Sequence, residues 1–209
     1  MTVDRGEAYR AARLRISELV SDEVGDLRVG ATPAWDVHDV VAHLTGIVDD
    51  ATSGNMEGAP GEAWTAAQVE RGKGRTVAEM VTVWHEKAPL VEMVLSSPEG
   101  ASRERAVFDI HTHECDLLTA LGRPIAVPSD VAAWIGESLR NDFAAAVAAA
   151  GLPPVSVEVS DVELFRSRLG RRTADEVRGY RWSADSDSYL EQWFVFGVAE
   201  RSLGERVDP

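Results

Sequence analysis

Three side chains in this sequence have the types and spacing to hold a divalent cation: His43, Asp109 and His113. His43 stands in VVAHLTG, on the apolar stripe of a helical segment, so it points inward. Asp109 and His113 are four residues apart in a second helical segment, which puts both on one face. That face also carries Ala106 and Leu117, so it too looks into a core. A buried carboxylate facing buried imidazoles is costly unless its charge is compensated. A divalent ion would compensate it, and one His from one helix with an i, i+4 pair from another is a site that helical bundles build. Zinc is the expected ion, with nickel, cobalt or iron also suited to imidazole and carboxylate. Three protein ligands leave coordination positions open, the arrangement of catalytic sites. The alternatives need no metal: a core histidine can hydrogen-bond internally, and Asp109 and His113 can pair directly.

The other candidates are weaker. His111 is two residues from His113, hence on another face. His38 and His85 fall on solvent-facing or rim positions and are assigned no role. Glu114 and Cys115 turn away from the Asp109 face, and Cys115 reads as a small buried hydrophobe rather than a nucleophile.

The segments that carry these residues are legible from periodicity and caps. Residues 4–23 show a rough helical stripe of Tyr9, Ala12, Leu14, Ile16, Leu19 and Val20. Asp36 is placed as an N-cap before Val37, Val40, Val41, Leu44 and Val48. Thr52 to Gly61 reads as a loop. A capping box over 76–79 opens a third stripe of Met80, Val83, Trp84, Ala88, Val91 and Leu95. Ala106 to Leu121 is the fourth segment, ended by Gly122 and Pro124, and Ser129 to Ala150 the fifth. After Pro153-Pro154, Val155, Val157 and Val159 alternate as in a half-buried strand. A second capping box over 173–176 opens a short helix, and Gln192 to Phe196 is short and apolar. The expectation is a mainly α chain: a helical bundle over 1–150, then a small α+β domain over 151–209.

Bulk properties narrow the partners. The chain has 209 residues, 44% hydrophobic and 27% charged, with 21 Lys and Arg against 35 Asp and Glu, a net charge of −14. Nucleic-acid binding rests on cationic neutralisation of phosphates, and an acidic leaflet repels the same surface, so neither partner is expected. A small anionic substrate would need a local Arg cluster to overcome the repulsive field. One cysteine allows no intramolecular disulfide. With no apolar signal core near the start and no run of the ~20 apolar residues a spanning helix needs, a soluble cytoplasmic protein is expected, as a monomer or homodimer.

Several segments together resemble a known family. WDVHDVVAHL (35–44), DIHTHECDLLTALGRP (109–124), the tail LFRSRLGRRTADEVRGYRW (164–182) with Tyr189-Leu190 and Phe196-Gly197, and the rhythm of residues 64–84 are similar to the mycothiol-dependent maleylpyruvate isomerases. These are actinobacterial members of the wider DinB-like metalloenzymes. The resemblance implies a DinB-like four-helix bundle followed by a C-terminal domain of sterol-carrier type, with His43, Asp109 and His113 as the metal triad. It implies mycothiol as cofactor: a thiol made nucleophilic at the metal adds to the cis double bond of a small electrophile, the carbon–carbon bond rotates, and the thiol leaves. A transferase would keep the thioether. The family's isomerases carry Glu where this chain has the shorter Asp109, so the reaction does not follow from the likeness alone. Arg71, Arg123 and Arg172, with Arg171, are candidates to meet the thiol cofactor or an anionic substrate, against the alternative of solvated surface charges. Trp64 and Gln68 are candidates for the cavity mouth, with Trp64 equally able to pack the loop. A non-catalytic protein sequestering a small molecule in the same cavity is the other reading; a DNA-repair role is disfavoured by the charge.

Overall fold

A computed structural model describes residues 3–205; residues 1–2 and 206–209, the outer ends of the two expected domains, lie outside the described part. The described residues divide into two compact units, one spanning Asp4–Arg123 and the other beginning at Pro124.

The first unit contains α1 (Arg5–Leu19), α2 (Val37–Ser53), α3 (Glu62–Gly72), α4 (Val77–Ser96) and α5 (Arg105–Ala120). Local chemistry sets their starts. Asp4 accepts from the Glu7 amide at 3.0 Å, and Asp36 and Asp39 cap α2 reciprocally, as Thr76 and Glu79 cap α4. Such caps satisfy amides that have no partner within the helix. Gly54 closes α2 in the left-handed region at φ 79°, where a side chain would be strained. The four longer helices pack in a ring: α1 lies against α4 and α5, and α2 against the same two. Ala12, Ile16, Val40, Val41, Leu44, Trp84, Ala88, Ile110 and Leu117 fill the centre.

The expected stripe of α2 is buried throughout and that of α4 at Met80, Trp84, Ala88 and Leu95, with Val83 and Val91 half-buried, but α1 departs from its pattern. Leu14 is exposed while Arg13 is buried and pairs with Glu92 at 2.7 Å across to α4. The polar helix α3 has no clear apolar period and was not expected as an element. It lies along α2 because small residues allow close approach: a Cβ on Gly46 would sit 2.6 Å from Cβ of Gln68, and one on Gly72 2.3 Å from Cβ of Ala42.

The second unit holds α6 (Ser129–Ala149), α7 (Asp161–Arg168), α8 (Ala174–Arg178), α9 (Leu190–Trp193) and one antiparallel pair, β1 (Val157–Glu158) with β2 (Arg181–Trp182). The division at Arg123 differs from the boundary near 151 that composition suggested. Helix α6 buries Ile135, Leu139, Phe143 and Val147 and packs on α7 and α9, so it belongs with the C-terminal elements. The Pro153-Pro154 break is irregular chain within that unit. Phe143 meets Trp193 edge-on at 5.0 Å, and the Arg168 guanidinium lies 5.2 Å from the Phe143 ring centre, a cation–π contact. The chain is mainly α, and among the described residues no helix is long and apolar enough to cross a membrane.

Candidate metal centre

The ring of helices brings His43 on α2 against Asp109 and His113 on α5. One ligand atom from each lies within 4.8 Å of the other two. His43 Nε2 is 3.5 Å from Asp109 Oδ2, and His113 Nε2 is 3.6 Å from Asp109 Oδ1. These separations exceed the roughly 2.8 Å of a charge-assisted hydrogen bond. Two donors each about 2.05 Å from one tetrahedral ion would be about 3.4 Å apart. The spacing therefore suits a shared cation better than direct pairing. Both imidazoles are buried, but the Asp109 side chain is 36% exposed, not sequestered as its helix face suggested. That exposure leaves the centre accessible from the carboxylate side.

The outward halves of the imidazoles are also engaged. His43 Nδ1 lies 2.8 Å from Gln68 Oε1. His113 Nδ1 lies 3.2 Å from Asp116 Oδ2, an ion-pair distance but outside hydrogen-bonding geometry. A hydrogen-bonded partner such as Gln68 behind a metal-ligating histidine orients the ring and raises its donor strength. Trp35 closes a third side, its ring 5.2 Å from that of His43 and 6.0 Å from that of His113. Burial alone would hold the His43 pKa down, but the Asp109 carboxylate, aided by Gln68, turns this into a net rise. The centre thus favours a positive charge beside Asp109, a demand that a proton or a metal ion can meet. Burial pushes the Tyr9 phenol up as well, with the nearby Asp109 charge adding to it.

The remaining histidines do other work. His111 is buried with Nδ1 2.8 Å from the Val107 carbonyl, and burial lowers its pKa to about 4, so it stays neutral. His38 Nε2 lies 2.8 Å from the Arg75 carbonyl, and His85 meets Arg13. A second acidic group with a histidine, Asp36, His38 and Asp39, lies at the α2 start, where both carboxylates already serve the capping box.

The arginines separate. Arg71 Nη2 donates to Asp50 at 2.7 Å, stays partly exposed, and lines a shallow cavity with Thr45, Asp49, Gln68 and Arg75. Arg123 is exposed at the end of the first unit. Arg172 does not serve as a free cation. It is buried in the second unit, paired with Glu163 at 2.7 Å and Glu205 at 2.5 Å, and Nη1 also donates to the Arg171 carbonyl. All three of its nitrogens are engaged by these partners, which leaves none directed to a cofactor. Arg171 donates to the Leu169 carbonyl. Trp64 Nε1 donates to the Asn55 carbonyl at 3.1 Å, so it packs the loop.

Gln68 is buried at 1% exposure rather than standing at a cavity mouth. Asp50, Asp116 and Trp35 were not singled out as site residues. Asp50 had a readable signal, an acid two helical turns after His43 on the same apolar stripe. No family model, curated protein or solved structure matches the chain.

Proposed function

We propose that this chain is a metal-dependent enzyme that uses a low-molecular-weight thiol of the mycothiol kind on a small electrophilic substrate, by cis–trans isomerisation or thiol transfer. The observation that carries the metal half is the convergence of His43, Asp109 and His113 at separations too long for direct charged hydrogen bonds. A divalent ion held there would lower the pKa of a coordinated thiol and supply a nucleophile at neutral pH. The protein's part is positioning. His43 is fixed by burial and by Gln68 behind it, and His113 by burial. Asp109 leaves one side open to a small molecule, and Trp35 offers an apolar wall against it. Arg71 and Arg75 line a shallow cavity on the far side of Gln68 that none of the three ligands borders, so a cation there would meet an anionic group away from the metal centre.

The thiol half rests on the resemblance of residues 35–44 and 109–124 to the mycothiol-dependent maleylpyruvate isomerases and their DinB-like bundle. Asp109 sets the carboxylate back by one methylene relative to the Glu of those isomerases, and the choice between isomerisation and transfer turns on it. Protein purified without a histidine tag is expected to hold a stoichiometric divalent metal that Asp109→Ala loses. With that metal, mycothiol-dependent consumption of maleylpyruvate or another electrophile is expected. Tag-free protein that neither carries metal nor binds zinc in calorimetry sinks the first half. Metal-loaded protein that turns over no member of an electrophile panel sinks the second.

A further inference from the structure

Behind His43 runs a chain of polar groups whose hydrogen-bond directions are fully determined. Asp50 is buried on α2 and receives three donors: Arg71 Nη2 at 2.7 Å, Asn55 Nδ2 at 2.8 Å and Gln68 Nε2 at 2.9 Å. An ionised carboxylate only accepts, so the end of Gln68 facing Asp50 must be its amide NH2. The other end is then the carbonyl oxygen, which also only accepts. That oxygen lies 2.8 Å from His43 Nδ1. Nδ1 must therefore carry the imidazole proton, and the lone pair of the neutral ring falls on Nε2, the atom that faces Asp109. His113 lacks such a lock, because its Nδ1 has no hydrogen bond of good geometry.

We propose that Gln68, oriented by Asp50 and Arg71, is a positioning residue that fixes His43 as its Nδ1–H tautomer and so presents Nε2 as a ready-made metal donor. The inference rests on the metal reading of the His43, Asp109 and His113 centre. It makes the two imidazoles unequal: His43 is organised before any ion arrives, whereas His113 is not held by a directed bond. It also gives Arg71 a task besides meeting a ligand, since its charge keeps Asp50 an acceptor in a buried place. The tautomer of a metal-ligating histidine is set by the bond its other nitrogen makes, and losing such a partner typically costs 10–100-fold in metal affinity.

The full chain, stripped of metal, is titrated with zinc by competition against a chromogenic chelator, and the His43 tautomer is read from long-range 1H–15N spectra of the same samples. The wild type is expected to show His43 protonated at Nδ1 and to bind zinc. Gln68→Leu removes the acceptor; in D50N the Arg71 and Asn55 donors hold the new amide's oxygen on their side, so its NH2 faces Gln68, turns that amide over and sets an NH2 against His43 Nδ1. Gln68→Leu is expected to mix the tautomers and D50N to favour the Nε2–H form, and both to weaken zinc by roughly 10–100-fold. The double variant D50N/Q68E exchanges amide and carboxylate, so every donor again faces an acceptor and a negative charge stands beside His43. It is expected to restore the Nδ1–H form and to bind zinc at least as tightly as the wild type. Should Gln68→Leu fail to fold, the comparison of D50N with D50N/Q68E carries the test alone. Wild-type zinc affinity in Gln68→Leu or D50N, or a double variant no better than D50N, overturns the positioning role while leaving the metal centre standing. A wild type that binds no zinc overturns the metal reading, and the inference with it.

Discussion

Replacing Gly46 by alanine perturbs the metal centre without touching any ligand. The added Cβ would lie 2.6 Å from Cβ and 2.7 Å from Cγ of Gln68, against 3.4 Å for an ordinary contact. Side-chain rotation cannot relieve the clash with Cβ, because that atom is fixed by the backbone. Helices α2 and α3 must separate instead. Overpacking of this kind costs about 1–3 kcal/mol, and the better helix propensity of alanine returns about 0.5–1 kcal/mol. The net loss is about 0.5–2 kcal/mol, taking the low and high ends together. Urea unfolding of the metal-free chain reads this directly. With a slope of about 1–3 kcal/mol/M, the midpoint falls by about 0.2 to 2 M. The same shift draws Gln68 away from His43, so zinc affinity falls by roughly tenfold or more. Gly74→Ala is the control, since a Cβ there meets nothing within 4 Å and the change should be neutral or mildly stabilising. A Gly46→Ala protein with wild-type midpoint and wild-type zinc affinity would refute the reasoning that close α2–α3 packing places Gln68.

Zinc at a thousandfold above its dissociation constant should raise the unfolding free energy by about 4 kcal/mol, and a chelator should reverse the gain; an unmoved urea midpoint denies a native-state site. Arg172→Ala should destabilise the second unit by about 1–3 kcal/mol, because Glu163 and Glu205 lose charge-assisted bonds while Arg166 still holds Glu205 and the Tyr180 hydroxyl still donates to Glu163; a change within about 0.5 kcal/mol, the range of an ordinary surface substitution, would show the network to be energetically idle. Burial raises the Asp50 pKa, but Gln68, Asn55 and Arg71 together bring it below the usual carboxylate value. Since the folded pKa lies below the unfolded one, the stabilisation is present above about pH 4 and lost as pH falls through the folded value. Arg71→Met should move that acid limb to higher pH in a series of urea midpoints, and an unmoved limb would count against the pair.

The helices that carry the ligands were readable because their signals are local. Asp36 caps α2 where its short polar side chain precedes an apolar run, and the Val37, Val40, Val41, Leu44 and Val48 stripe is buried throughout. The triad was readable as types and spacing, but burial could not single it out. Helix α5 is buried at every residue from Ile110 to Leu118, so His111, Glu114 and Cys115, which the spacing turns away from the Asp109 face, are as buried as His113. Where composition and packing disagreed, packing won. The alanine-rich α6 resembles the bundle helices in pattern, yet its stripe meets α7 and α9.

Taken by itself, then, the sequence determined the five longest helical segments, the caps of α2, α4 and α8, and three side chains of the types and spacing to act together on a cation, because periodicity and capping are set within a few residues. Only the tertiary structure decided that those three converge with Asp109 on the open side, that Gln68 on an unheralded helix locks His43, and that Arg172 is consumed by Glu163 and Glu205. Each of these depends on which faces meet across long stretches of chain, and that is fixed by close packing, such as the glycine contacts of α2 with α3, rather than by local preference.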